Sequence, residues 1–294
     1  MFRILIPVDL SEASYKACLY AIQLAAAVPD AKLLLLHCFQ DYLGDAEPDI
    51  ATDAHLTPSE QITEAVLRRN ESEAQQHLEE LYKDLLHRTR TAGYTLRLER
   101  TFIHGLPEDE ILEQIERFRP ALVLMSTKGE YNLSRAIFGT VSTKVMEDSN
   151  VPVLCVPANY EGNGISKVLY ATNFGKTDVE DMEQLRSLLQ HLQPMIYCVH
   201  ISNDPEEDRE KLLALQQKLQ NGAPSSDIRY ALLEGHDVAE SLQDFARGEG
   251  IDLLALTTRE RRTLDSLFHP SLAKKMMLHA RLPVLVFHSK LTNN

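Results

Sequence analysis

The chain has 294 residues, enough for two ordinary domains, with 44% hydrophobic and 25% charged residues as in soluble globular proteins. A formal net charge of -13 argues against general DNA or RNA binding, which needs a cationic face. No apolar run approaches the roughly 20 residues that span a bilayer, which excludes a membrane-spanning helix.

The first segment, Ile4–Val8, is short and apolar, as a strand buried on both faces should be. It is too short for a signal peptide, and Asp9 soon follows. Ser11 can cap a helix whose apolar face is Ala17, Cys18, Ala21, Leu24 and Ala25. Leu33–Leu36 is a second strand. A polar stretch, Asp41–Thr57, reads as a loop, and Pro58-Ser59-Glu60 opens a helix running towards Arg90. Thr95–Phe102 is a third strand, and Pro107 starts a helix with acids in its first turn, where the helix dipole favours them. Leu122–Met125 is a fourth strand, a helix follows Gly139, and Val153–Val156 is a fifth.

The plan then repeats. Val151-Pro152-Val153-Leu154-Cys155-Val156 recurs as Leu282-Pro283-Val284-Leu285-Val286-Phe287, and Arg3–Asp9 resembles Lys167–Asn173. Leu36-His37-Cys38 resembles Val199-His200-Ile201, and His104-Gly105 resembles Glu234-Gly235. In the second copy the second helix is shorter, about Pro205–Gln220. Between the copies lies a glycine-rich linker, Asn159–Gly164. The predicted fold class is α/β: two tandem doubly wound five-stranded parallel sheets, residues 1–158 and 165–290, packed as a pseudo-dimer. Exposed strand edges are covered if the two halves pair through Val151–Val156 and Leu282–Phe287.

Chemistry concentrates where Leu122–Met125 runs into Ser126-Thr127-Lys128-Gly129 and, nine residues after Gly129, Gly139-Thr140-Val141-Ser142 opens a helix. Glycines let backbone N–H groups approach an anion, and a helix N-terminus adds partial positive charge. This is a phosphate cradle in outline. Lys128 can add a point charge, and Thr140 and Ser142 offer hydroxyls. The second copy lacks these features: Gly129 becomes Glu260, Gly139 becomes Pro270, Asp9 becomes Asn173 and Pro7 becomes Ala171. A carboxylate there repels phosphates, and the proline removes a donor. Arg259, Arg261 and Arg262 read as a solvated basic loop.

Other candidates have bland readings. The four cysteines Cys18, Cys38, Cys155 and Cys198 form no Cys-x-x-Cys pair and read as buried hydrophobes of a reducing cytoplasm. His37 and His200 end apolar strands and read as satisfied structural histidines, without metal-ligand spacing. The acidic run Asp204–Asp208 reads as a helix start facing water.

With these residues in view the chain resembles a tandem universal stress protein. The family pattern is Gly-x-x-Gly, nine residues, then Gly-Ser/Thr, with a first strand ending Pro-x-Asp, a strand ending in an apolar-His pair, and a Val-Pro-Val last strand. The resemblance covers nearly the whole chain, once per half, and implies a cytoplasmic ATP-binding module of stress response or signalling. It assigns Pro7, Val8 and Asp9 to adenine and ribose, Cys38 to the adenine slot, and Met125, Ser126, Gly129, Gly139, Thr140, Val141 and Ser142 to ribose and phosphates. Asp9 can accept from ribose hydroxyls or hold Mg²⁺ with the ATP. One departure is Ser126, where the family pattern has glycine. The site is weakened if that position needs φ > 0 or presses on ligand; otherwise the hydroxyl adds a hydrogen bond. ATP is expected in the first half only, with a homodimer and a protein partner of unknown identity. Two alternatives are a nucleotide-free scaffold and a slow ATPase, although no general base stands out beside a γ-phosphate.

Overall fold

A computed structural model describes residues 2–40, 58–127, 140–162, 164–220, 227–258 and 282–288. The front half runs β1 (Arg3–Pro7), α1 (Glu12–Ala26), β2 (Lys32–Phe39), α2 (Pro58–Thr91), β3 (Arg97–His104), α3 (Pro107–Phe118), β4 (Leu122–Thr127), α4 (Thr140–Asp148) and β5 (Val153–Pro157). The rear half runs β6 (Lys167–Ala171), α5 (Asp178–Leu189), β7 (Met195–Ser202), α6 (Pro205–Gln220), β8 (Ile228–Glu234), α7 (Val238–Glu249), β9 (Leu253–Thr258) and β10 (Val284–His288). The segments 41–57 and 259–281 lie outside the described residues. So do the expected loop, the second copy's altered positions Glu260 and Pro270, and Arg259, Arg261 and Arg262.

The strands form one ten-stranded sheet in the order β3-β2-β1-β4-β5-β10-β9-β6-β7-β8. Each half is parallel, and the halves meet antiparallel, Val284 opposite Cys155, Leu285 opposite Leu154 and Val286 opposite Val153. All six of these residues are at most 2% exposed. Pairing the last strands of the two copies removes two edges and leaves β3 and β8 outermost.

Strand residues alternate between two apolar layers. On one face Ile4, Ile6, Leu33 and Leu35 pack on Ala17, Cys18, Ala21, Leu24 and Ala25 of α1 and on Leu78 and Leu85 of α2. On the other, Leu5, Val123 and Met125 pack on Ile111 and Ile115 of α3 and on Val145 and Met146 of α4. Ser11 caps α1, its hydroxyl accepting from the Ser14 N–H at 3.2 Å.

Several strand ends differ from expectation, most of all those of β2, which runs on past Leu36 to Phe39, and of β3. β2 and β3 pair from Lys32–Arg97 to Phe39–His104, so β3 starts at Arg97 rather than Thr95 and continues through His104. The ladder register with β2 fixes both ends, which composition alone does not. The linker is tied down as well. Tyr160 packs edge-on against Tyr20 at 5.7 Å between ring centres, and its hydroxyl donates to the Asp252 carbonyl at 3.3 Å. Among the described residues no helix is long and apolar enough to cross a membrane.

Candidate functional site

In the front half β1 lies between β2 and β4, so strand order reverses beside it and a crevice forms at the carboxyl ends. Pro7 pairs with Leu36. Leu5 pairs with Val123, and the same register brings Met125 level with Pro7. The ends of three strands thus bring together Pro7, Val8, Asp9, Cys38, Met125 and Ser126.

Val8 is held on both sides. Its N–H donates to the Leu36 carbonyl at 2.8 Å, and its carbonyl accepts from His37 Nδ1 at 2.8 Å. Because a carbonyl only accepts, Nδ1 carries the proton. His200 makes the same 2.8 Å bond to the Thr172 carbonyl in the rear half. Both are satisfied structural histidines, as the sequence suggested, but each lies two residues inside its strand and clamps the chain at the end of the neighbouring one.

Asp9 stands just beyond β1, exposed, with Oδ1 accepting from the Ser11 N–H at 3.1 Å and its hydroxyl at 2.5 Å. Burial pushes this carboxyl up, but the Ser11 side-chain and backbone bonds, with Ser14, together hold it below the usual carboxylate value. Asp9 is therefore a fixed anion at the crevice mouth, a donor set that suits a ribose hydroxyl or a hard cation. Cys38, half-buried, has its thiol pushed up to about 12 by burial and then by Glu110, so it offers an inert apolar wall.

Ser126 lies within β4 opposite Val156, and it is absent from the residues with positive φ. Its backbone needs no glycine, which removes one of the two ways in which the serine would weaken the site. Lys128, Gly129 and Gly139 lie outside the described residues. Thr140 opens α4 exposed, Val141 is half-buried and Ser142 buried. No acid stands in the first turn of α4. By contrast α1 has Glu12, α3 has Glu108, Asp109 and Glu110, α5 has Asp178, Glu180 and Asp181, α6 has Glu206, Glu207 and Asp208, and α7 has Glu240. The positive end of α4 carries no neutralising carboxylate of its own and remains attractive to an anion.

The same corner of the rear half is built differently. Leu10 and Phe174 follow β1 and β6 with φ of 62° and 57°, so the backbone bends alike. The side chains diverge. Asp178 accepts from Tyr170 Oη at 3.0 Å, from the Thr172 hydroxyl, and from the Gly175 N–H at 2.8 Å. Asp181 accepts from Thr177 at 2.9 Å and from Thr257 at 2.7 Å. Burial pushes the Asp181 carboxyl up, while the two threonine bonds oppose this and Asp178 adds to it. By the repeat register these aspartates stand where the front half has Ser14 and Ala17, and Thr257 stands where it has Ser126. Phe174 lies over His200 at 4.2 Å between ring centres. Beside them Ala171, Thr172, Val199, His200, Ile201, Val238 and Leu242 line a small apolar pocket.

The model of the universal stress protein family matches residues 1–157 and 194–288. The chain belongs to the universal stress protein family. It is 27% identical over 154 residues to a universal stress protein of Methanocaldococcus jannaschii, covering 52% of this chain and 81% of that one. Its fold is similar to a universal stress protein of Archaeoglobus fulgidus, with a TM-score of 0.69, 17% identity, and 97% and 98% of the two chains covered. A Pseudomonas aeruginosa protein described as functionally unknown also shares it, with a TM-score of 0.59, 17% identity, and 98% and 92% covered.

Against this tandem universal stress protein plan, sequence reasoning missed two sets of residues. Asp178 and Asp181 carry the signal of two acids one helical turn apart at positions that the first copy gives to the small residues Ser14 and Ala17, both buried. Asp208, at the end of the acidic run expected to face water, is instead buried, although Pro205–Gln220 is the helix that the run opens. Its side chain is 12% exposed and accepts from Ser202 Oγ at 2.7 Å and from His200 Nε2 at 3.2 Å. The Asp-His-Ser grouping is not a hydrolase triad, since the aspartate bridges the other two and Ser202 is 2% exposed.

Proposed function

We propose that residues 1–158 form a domain that binds ATP and that residues 165–290 form a domain with a degenerate motif that does not. The observation that carries this reading is the acid-free N-terminus of α4 after β4 in the front half, set against the buried Asp178–Asp181 pair that the rear half places beside Thr257, the counterpart of Ser126. An anion is attracted by the first and repelled by the second. Pro7, Val8, Asp9 and Cys38 would meet base and ribose. Met125, Ser126, Lys128, Gly129, Gly139, Thr140, Val141 and Ser142 would meet ribose and phosphates.

Among the described residues no three His, Cys, Asp or Glu side chains are grouped to hold a metal. Mg²⁺ would come as the complex with ATP. Asp9 fits it as a single carboxylate, the usual share of protein ligands when phosphates and water complete the octahedron. The module would act in stress response or signalling by changing, with its ligand state, the surface offered to a protein partner.

Calorimetric titration with ATP and Mg²⁺ tests the reading. The parent should take up one nucleotide per chain, and Gly139→Glu, which puts a carboxylate before α4, should take up none. No heat from the parent would contradict the proposal and favour a scaffold that works without nucleotide.

A further inference from the structure

α4 has nine residues, too few to be stable alone, so its position depends on what holds its face and its ends. Its carboxyl end is held from an unexpected side. The Ser149 N–H donates to the Val145 carbonyl at 3.0 Å, and the next carbonyl, that of Met146, is one of the helix's orphan acceptors. Nε2 of His288 faces that carbonyl. His288 is the last residue of β10 and belongs to the rear half, so this bond crosses the seam between the halves.

The chemistry of the contact is specific. The carbonyl can only accept, so the Nε2 proton is fixed and Nδ1 is left as a buried acceptor without a partner among the described residues. Burial pushes the imidazole below its ordinary value, against the backbone carbonyls of Met146 and Val151 and the charge of Asp148, itself paired with Lys144. A buried nitrogen left unpaired is a cost, tolerated here in a ring whose other nitrogen ties two halves together. The corresponding strand-end residue of the front half, at the end of β5, is Pro157, which has no side-chain donor.

We propose that His288 is a positioning residue for the front site: through it the rear half holds the helix that presents Thr140 and Ser142. The part of this that concerns nucleotide rests on the function proposed above; the hold on α4 does not. The rear half is then a structural component of the front site.

The test uses the full chain with His288→Leu, which keeps bulk and loses the donor, and His288→Gln, whose amide can still donate. Amide hydrogen exchange is followed across α4, with β1 as internal reference, and ATP is titrated into each protein. His288→Leu should speed α4 exchange about tenfold, the effect of one lost hydrogen bond, leave β1 unchanged and weaken ATP binding several-fold. His288→Gln should restore both. Unchanged α4 exchange in His288→Leu would overturn the proposal whatever ATP does. Faster exchange throughout the chain, not rescued by glutamine, would overturn it too, since the residue would then serve general stability. Loosened α4 with ATP bound as tightly as by the parent would overturn its link to the site. If the parent binds no ATP, the function proposed above fails, and the exchange measurements alone decide whether His288 holds α4.

Discussion

Asp9 and Asp181 are both carboxylates near the carboxyl ends of equivalent strands, yet their surroundings push them in opposite directions. Folding lowers the Asp9 pKa through Ser11 and Ser14, so its contribution to stability is complete above the ordinary value of 3.8 and is lost as pH falls through the folded value. Ser11→Ala removes that support and the α1 cap together. It should cost about 1 kcal/mol in denaturant unfolding and raise the Asp9 pKa followed by carboxyl NMR. An unmoved Asp9 titration would show that Ser11 does not hold the carboxylate. Folding raises the Asp181 pKa, so its burial penalises the native state once pH rises above 3.8 and fully above the folded value. Asp181→Asn should therefore be more stable than the parent at neutral pH, with the gain vanishing as pH falls towards 3.8. Lower stability at neutral pH would mean that the ionised carboxylate, not just its hydrogen bonds, is needed. Neither environment is legible in the sequence. Ser11 follows Asp9 closely and could be suspected. Thr257 and Asp181 are 76 positions apart, and only the fold brings them to 2.7 Å.

At the scale of elements, the sequence carried most of the architecture. The Pro58 helix, the helix after Gly139 and the Pro205–Gln220 helix stand where apolar spacing, glycine and first-turn acids placed them. The apolar face of α1 is buried residue for residue. What eluded composition were strand ends, because a strand stops where its neighbour stops offering carbonyls and N–H groups. β6 shows how such an end is fixed. Asp252, just before β9, accepts from the Ser166 N–H at 2.8 Å and the Lys167 N–H at 2.9 Å, and so starts β6 from the side. Asp252→Ala should cost about 1.5–3 kcal/mol by thermal unfolding, the range for bonds to a charged group. A loss near zero would mean that water replaces the carboxylate. Gly105 and Gly235 show the same logic at the loops. A Cβ on either would lie 2.4 Å from Glu110 Oε1 or 2.2 Å from Ser241 Oγ, so the following helix packs closely at the same point of both copies.

The whole molecule is one sheet with one core on each face, which makes the seam between β5 and β10 the joint on which both halves depend. The repeated strands, opening Val-Pro-Val in the first copy and Leu-Pro-Val in the second, made this pairing legible, since each copy alone would leave an apolar edge bare. Leu154 is 1% exposed at the centre of the seam. Leu154→Ala should cost about 2–5 kcal/mol and lower the stability of β1 and β6 together in hydrogen exchange. Loss confined to β1 would show that the halves unfold separately. The cross-seam bond from His288 was not legible, because nothing in a strand's composition says which neighbouring helix end its last side chain will meet. The central claim is that two halves of one family and one fold differ in function, the front taking ATP and the rear supporting it. Photolabelling with 8-azido-ATP, followed by peptide mapping, tests this most directly. The account predicts ATP-competable label only in peptides from residues 1–158, and competable label in peptides from residues 165–290 would contradict it.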